Sequence, residues 1–277
     1  TTETPVTAKE ADPHPPQSWV EKRVSKAQQS LQASEAGQIV WQAMQAHGGL
    51  ANYLSNGYLK FQFNYQPLKN GTGRNTIEIV DTWSNQVRHH EADNADMQYG
   101  WNGKVAWEVT PDGNPYPYDT RFWALTPCYF LGLPFVLDGQ GVILEKQEDR
   151  VHKNKPQDVV RVTFEDGTGD APDDYYLLYF DKTTHLLSVI RYAVSYPGYF
   201  PKGKYGNERF MEVTAYQTTQ GITLPEAYKA YMSQPDCFPG EYVSLIEVSG
   251  VEFIESVPEG FFNPPQGSRL VEITPVQ

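Results

Sequence analysis

The chain is dominated by short segments in which apolar and polar residues alternate. In residues 58–65, Leu, Phe, Phe and Tyr alternate with polar residues, which is the two-residue period of a half-buried strand. Further segments of this kind are 74–83, 86–92, 97–101, 104–109, 142–149, 158–165, 174–181, 186–196, 207–218, 222–232 and 241–255. Most links between them are short, and parallel pairing would need longer crossovers. The pattern therefore predicts a mainly antiparallel α+β fold with about 11–12 strands.

Two of these segments show which side chains share a face. In 74–83, Ile77 and Ile79 lie on one side of the predicted strand together with Trp83. In 104–109, Trp107 shares a face with the valines on either side of it. The preceding Asn-Gly pair is a hairpin signal.

Two helices are predicted before the first strand. Ser18 is a capping residue for a first helix, and Ser34 for a second that ends at the Gly48-Gly49 pair. Apolar residues recur in both at helical spacing. We expect this face to pack on the sheet, in preference to binding a partner helix.

The stretch Asp119–Gly141 is the most apolar run of the chain. Its composition predicts a helix over 121–131, which Pro127 kinks or divides, and Gly132 and Pro134 end it. A membrane-spanning helix needs ~20 consecutive apolar residues, which this run does not supply.

Charge and cysteine content exclude several classes of protein. A formal net charge of −12 repels phosphate backbones, so nucleic acid is not an expected partner. Cys128 and Cys237 show no metal-binding spacing, and the sequence leaves open whether they form a disulfide or stay as thiols.

Residues 1–17 differ from the rest of the chain. They begin with Thr, hold four prolines and carry little apolar bulk, which predicts a disordered tether exposed after removal of a secretion leader. No linker interrupts residues 18–277, so a single domain is expected there.

No motif predicts a catalytic residue, a metal site or a cofactor. His89, His90 and Glu91 begin like a zinc-protease motif, but adjacent strand residues point to opposite faces, so a rim strand is the preferred interpretation. The loop Asp166–Asp174 clusters four carboxylates, and a solvated hairpin loop is preferred there over a weak calcium site.

Several motifs resemble known families. The strand–turn–strand 175–196, the segment 212–232 with its Gly-Ile-x-Leu-Pro turn, and the closing segment 250–265 resemble the lipoprotein-carrier fold of the LolA/LolB type. AMQAHGGLANY (43–53) and FWALTPCYFLGLPFVLDGQG (122–141) resemble an uncharacterised family of secreted bacterial proteins, often with lipoprotein signals.

The resemblance implies a curved, half-open antiparallel barrel with helices across its concave face, a shape that holds acyl chains or other apolar ligands. Segment 119–141 would then be a lid, with Trp123, Phe130 and Phe135 pointing inward. The candidate cavity-lining residues are Phe61, Phe63, Trp107, Phe122, Trp123, Phe130 and Phe135.

We therefore expect a non-catalytic envelope protein of a Gram-negative bacterium, periplasmic or at the outer membrane, that binds a lipid or other hydrophobic small molecule. The sequence leaves open an N-terminal lipid anchor and the identity of any protein partner. One alternative is a structural or partner-binding lipoprotein whose core is filled by side chains. Another is an envelope hydrolase that uses His89 and Glu91 or the Asp166–Asp174 loop.

Overall fold

The computed structural model describes residues 15–277, so most of the predicted tether, residues 1–14, lies outside the described residues. The helices are α1 (Gln17–Leu31), α2 (Glu35–Ala46), α3 (Leu50–Ser55), α4 (Thr120–Gly132) and a 3-10 helix (Phe135–Asp138). The strands are β1 (Tyr58–Pro67), β2 (Arg74–Asp81), β3 (Val87–Glu91), β4 (Gln98–Trp101), β5 (Ala106–Val109), β6 (Val142–His152), β7 (Lys155–Phe164), β8 (Tyr175–Asp181), β9 (Leu187–Ala193), β10 (Arg209–Thr219), β11 (Ile222–Ser233), β12 (Pro239–Ile254) and β13 (Arg269–Val271).

All the described strands form one antiparallel sheet. Its order is β13-β5-β4-β3-β2-β1-β12-β11-β10-β9-β8-β7-β6, so two meanders, β1–β5 and β6–β12, meet where β1 pairs with β12. β13 and β6 lie at opposite ends of this order, and the sheet is not closed. This confirms the predicted half-open antiparallel fold. The strand that the sequence does not predict is β13, which is only three residues long.

The two ends of the sheet, at which the strands begin and end, differ in the length of the connections they carry. Because neighbouring strands run in opposite directions, every second connection lies at the same end of the sheet. One end, the turn end, carries the tight connections 82–86, 102–105, 153–154, 182–186 and 220–221. The other, the loop end, carries the longer connections 68–73, 92–97, 110–119, 165–174, 194–208 and 234–238.

The N-terminal helices cover part of the sheet near the turn end. The Ser34 side chain accepts a hydrogen bond from the Gly37 N–H at 3.1 Å, so the predicted cap of α2 is confirmed. Val40, Ala43 and Met44 on α2 are fully buried, which confirms that this face packs into the core. The carbonyl of His47 accepts from the Thr223 N–H at 2.9 Å and fixes the end of α2 to β11.

Helix α4 crosses the concave face of the sheet. The Asp119 carboxylate caps it by accepting from the Phe122 N–H at 3.1 Å. Of the two alternatives for Pro127, a kink or a division, division is wrong, because α4 is one helix of 13 residues that includes Pro127. Proline removes one helical hydrogen bond, but Ala124 and Leu131 on the same helix are buried in the core, and this packing holds the helix together. Among residues 15–277, no helix has the length and apolar character that crossing a membrane requires.

Candidate functional site

The central segment lies against the inner, concave face of the sheet. We call α4 and the 3-10 helix together the lid (120–138). The lid contacts β3, β4, β5 and β11. Phe130 and Phe135 are 6% and 1% exposed, and the Phe135 ring stacks on Tyr53 with ring centroids 4.3 Å apart. The Tyr228 hydroxyl donates to the Phe130 carbonyl at 3.3 Å. Lid side chains therefore fill this part of the concave face.

Ion pairs hold the lid near both of its ends. At its start, Arg121 makes a bidentate ion pair with Asp170, with hydrogen bonds of 2.6 and 2.7 Å. The same guanidinium stacks on the Trp101 ring of β4, 4.1 Å from the centroid. At its end, Asp138 accepts two hydrogen bonds from Arg23 of α1 at 2.6 and 2.9 Å. Both pairs are bidentate and at least partly buried, so they hold the two ends of the lid more firmly than exposed ion pairs would.

Six of the seven predicted lining residues are found on the concave side. Phe61 and Phe63 of β1 point inward and are fully buried. Phe122 and Trp123 are half-buried at the loop end. The Phe122 ring packs on Tyr196 with centroids 5.1 Å apart. The remaining two are Phe130 and Phe135 of the lid.

Trp107 lies on the outer face, which corrects the expectation that it lines the concave side. It is opposite Gly100 of β4, which is in turn opposite Arg88 of β3, so the three share a face. The Trp107 indole N–H donates to the Phe262 carbonyl at 2.9 Å, and the C-terminal segment covers the ring. The physical reason is that successive side chains of a strand point to opposite faces. Glu108, the residue after Trp107, points inward, where its carboxylate accepts from the Thr120 hydroxyl at 2.5 Å.

A polar row faces inward on β2 to β5, under the first half of α4. In β2 the inward residues are Arg74, Thr76 and Glu78, while Ile77 and Ile79 are half-buried on the outer face. The apolar period of this segment favours the opposite orientation, which is why sequence reasoning missed the row. The pairing of β1 with β2 supplies the missing signal. Glu78 lies opposite Phe61, and Thr76 opposite Phe63, so the apolar face of β1 turns them inward.

Glu78 and His89 are the most deeply buried members of this row. Both side chains are 0% exposed, and the Glu78 carboxylate lies 3.5 Å from the His89 ring. Burial raises the pKa of Glu78 well above its usual range and lowers the pKa of His89 to about 3. His89 is therefore neutral near pH 7, and burial favours the neutral acid form of Glu78. The His89 Nε2–H donates to the Ala124 carbonyl of α4 at 2.8 Å, because a carbonyl can only accept.

The histidine–glutamate motif does not form an open catalytic arrangement. His89 points inward and His90 lies on the other face, as alternation predicts. The Glu91 carboxylate accepts from the Tyr118 hydroxyl at 2.5 Å. With His89 sealed under α4, a substrate would reach it only after the lid moved.

The acidic loop makes structural contacts. Asp170 is paired with Arg121, and Asp174 accepts from the backbone N–H and the hydroxyl of Ser195 at 2.6 and 2.8 Å. Across residues 15–277, no three His, Cys, Asp or Glu side chains are placed to hold a metal ion. Cys128 on α4 and Cys237 at the loop end are both free thiols.

One cavity lies away from the lid, and a second lies beside the C-terminal end of the lid. The first, of about 350 Å³, is an open groove on the outer face beside the β1–β12 bulge, and Lys60, Gln62 and Glu252 line it. The other, of about 140 Å³, lies between the α1–α2 connection and the start of β6. The candidate site is therefore the filled concave face, with an apolar floor from β1 and a polar row on β2–β5.

These features define a class of fold: an open antiparallel half-barrel with helices across its concave face, as in proteins of the LolA superfamily. A LolA superfamily protein from Nitrosomonas europaea superposes with a TM-score of 0.53 at 9% identity, covering 82% of this chain and 97% of that one. A domain assigned to an outer membrane lipoprotein-sorting protein from Vibrio parahaemolyticus gives 0.50 at 10% identity, covering 88% and 97%. A DUF1329 family protein from Desulfovibrio piger gives 0.52 at 10% identity, covering 91% and 98%. At these identities the likeness shows the fold alone.

The sequence carries a narrower family signal in its central part. Residues 121–221, from the second residue of α4 to the β10–β11 turn, match the family of unknown function DUF6503. No curated protein matches the chain in sequence.

Proposed function

We propose that this protein binds an acyl lipid, or a hydrophobic small molecule of similar shape, on the concave face of the half-barrel. One observation carries the proposal: the lid buries Phe130 and Phe135 against the sheet, while ion pairs near its two ends fasten it to the rest of the fold. A ligand chain would replace these aromatic side chains against the inner face when the lid moves away.

The apolar floor supports this assignment. Phe61 and Phe63 are fully buried, and the inward residues of β11 and β12 include Leu224, Tyr228 and Val248. Burial of apolar surface contributes roughly 25 cal/mol per Å². An acyl chain and the lid side chains are therefore comparable partners for the same surface, and the ligand needs no preformed cavity of its own.

The role is that of a non-catalytic protein of the bacterial cell envelope. Support comes from the shared fold with a domain assigned to outer membrane lipoprotein sorting. The cellular site proposed is the periplasm or outer membrane of a Gram-negative bacterium, with residues 1–17 as a tether and an N-terminal lipid anchor as a means of attachment. Residues 18–277 would act as one domain.

A second candidate is a partner-binding role with a permanently filled core. Leu68, Tyr205 and Phe238 lie in three connections of the loop end and are 49%, 46% and 56% exposed, so this end offers apolar side chains to a partner. In that case the lid would never leave the sheet, and the loop end would bind a protein.

Lipid extraction distinguishes the two. The protein is purified from its native host, extracted with organic solvent, and the extract is examined by mass spectrometry. We expect an acyl lipid at close to one equivalent, and titration with a long-chain acyl ligand should saturate. An empty extract together with no saturable acyl binding would contradict the ligand-binding function and leave the partner-binding role.

A further inference from the structure

One charged side chain in the polar row lacks the partner that its burial calls for. Arg74 is 9% exposed and points inward from the first residue of β2, at the loop end of the concave face. Its guanidinium stacks between two rings, 3.7 Å from the centroid of Tyr118 and 4.6 Å from that of Trp123 on the lid. One NH₂ group donates to the Gly73 carbonyl at 3.0 Å and also to the Thr72 carbonyl.

Three other buried or half-buried arginines of the described chain pair with a carboxylate, whereas Arg88 bonds to the Gln98 side chain and the Phe261 carbonyl. Arg23 pairs with Asp138, Arg121 with Asp170 and Arg191 with Glu208. Within residues 15–277, no carboxylate lies at ion-pair distance from Arg74, and its buried Nε has no hydrogen-bond acceptor. A buried charge without a counter-ion is unfavourable unless something else compensates it.

On the same face, Glu91 compensates that charge only in part, because the Arg74 charge lowers the pKa of Glu91 by less than burial raises it. Glu91 lies on the next strand, but its carboxylate accepts the Tyr118 O–H at 2.5 Å, and burial raises its pKa. The aromatic rings compensate part of the charge through their faces, which leaves the edge of the guanidinium for an acceptor. A planar guanidinium edge suits a carboxylate or a phosphate.

We propose that Arg74 binds the anionic head, a carboxylate or phosphate oxygen pair, of the acyl ligand whose chain lies on the concave face. This rests on the proposed function and names its ligand class. Arg74 lies at the loop end, beside Tyr65 on β1 and Trp123 on the lid, so the head would sit at the mouth and the chain would run inward along Phe63 and Phe61. Trp123 contacts Arg74 directly, which couples occupation of the head site to the start of the lid.

The test measures binding of laurate, methyl laurate and inorganic phosphate to the wild type and to the variants R74Q, R74K and R161Q. Methyl laurate keeps the chain without the charge, and phosphate keeps the charge without the chain. Arg161 is a matched control because it is an exposed arginine on the outer face of β7, where it pairs with Glu145 at 3.4 Å.

We expect laurate to bind about 10- to 100-fold tighter than methyl laurate, the range expected for hydrogen bonds to a charged group. R74Q should remove this preference and leave the affinity for methyl laurate within about threefold of the wild-type value. R74K should retain part of the preference for laurate, and R161Q should retain all of it. If R74Q fails to fold, the partial loss in R74K carries the same test.

Three results distinguish failure of the Arg74 head site from failure of the proposed ligand-binding function. Equal affinity for laurate and methyl laurate, unchanged in R74Q, would overturn the head site and leave the proposed function standing. Phosphate bound as tightly as laurate would assign Arg74 to a free anion and also overturn the lipid-head assignment. If neither acyl ligand binds, the proposed function itself fails.

Discussion

The Glu78 carboxylate and the His89 imidazole lie 3.5 Å apart in the core, both fully buried beneath α4. His89 is also bonded to the Ala124 carbonyl of the lid, so the pair joins two strands of the polar row to the segment that covers them. Its charge state therefore affects the contact between sheet and lid.

Replacing Glu78 by glutamine should remove a pH-dependent loss of stability. Burial raises the pKa of Glu78 in the folded protein, so the unfolded chain releases this proton at a lower pH. The free energy of unfolding therefore declines as pH rises above about 4.5, the ordinary pKa of the side chain. We therefore expect E78Q to become more stable relative to wild type, in unfolding free energy, as the pH rises from 5 to 8. Urea denaturation at both values measures this.

The control for that experiment is E252Q. Glu252 is 53% exposed on the outer face, where it pairs with Lys60. Its replacement should change the unfolding free energy by a similar small amount at both pH values. If the effect of E78Q on the unfolding free energy is also the same at both pH values, Glu78 ionises freely in the folded protein.

His47 should stay neutral well below its ordinary pKa. Its Nδ1–H donates to the Thr223 carbonyl at 2.7 Å, its Nε2 accepts from the Leu187 N–H at 3.1 Å, and burial lowers its pKa to about 4. A depressed pKa means that the unfolded chain takes up the proton first, so stability is lost as pH falls from 6.5 towards 4. Proton NMR should show no His47 titration between pH 7.5 and 5, and a midpoint near 6.5 would contradict the assignment.

Breaking the ion pair at the start of the lid should loosen that end of it. The Arg121–Asp170 pair is bidentate and partly buried, which makes it worth about 1 kcal/mol. In R121Q we expect amide hydrogen exchange in residues 120–126 to accelerate about 3- to 10-fold, with β10–β12 unchanged. R161Q serves as the exposed-arginine control, and equal acceleration in both variants would mean that the pair does not fasten the lid.

Shortening a lid side chain should weaken the fold and strengthen ligand binding together. F130A should cost about 3–5 kcal/mol in unfolding free energy because Phe130 is 6% exposed. Since the same side chain competes with the ligand for the concave face, acyl affinity should rise about threefold or more.

W107A is the matched control for F130A. Trp107 is also buried, at 0% exposed, but lies under the C-terminal segment on the outer face, so its truncation should cost similar stability and leave acyl affinity unchanged. If F130A destabilises the fold as W107A does but brings no gain in acyl affinity, the lid does not compete with the ligand.

The antiparallel fold was predictable because its signals are local. The alternation in 58–65 and the turn at 181–184 require no knowledge of the rest of the chain, and Ser34 identifies the start of α2 by itself. The sequence also places the central helix correctly. Its continuity through Pro127 could not be predicted, because it depends on packing of α4 against strands far away in sequence.

The candidate site was predictable only in part. The inward position of Phe61 and Phe63 follows from alternation, but which face is inward for β2 and β5 depends on their register with neighbouring strands. That register turns Glu78 in and Trp107 out, against what side-chain polarity favours. Arg74 was missed for the same reason, since an arginine at the start of a strand indicates a solvent-exposed edge.

Hydrogen exchange of the lid with and without ligand shows whether the ligand displaces the lid from the concave face. The protein is incubated with saturating laurate, and exchange in residues 120–138 is followed by mass spectrometry against the unliganded protein. If the acyl chain replaces Phe130 and Phe135 on the concave face, exchange in the lid should rise while β1 and β11 become more protected. Saturable binding with an unchanged or more protected lid would contradict the account, because the ligand would then lie elsewhere on the molecule.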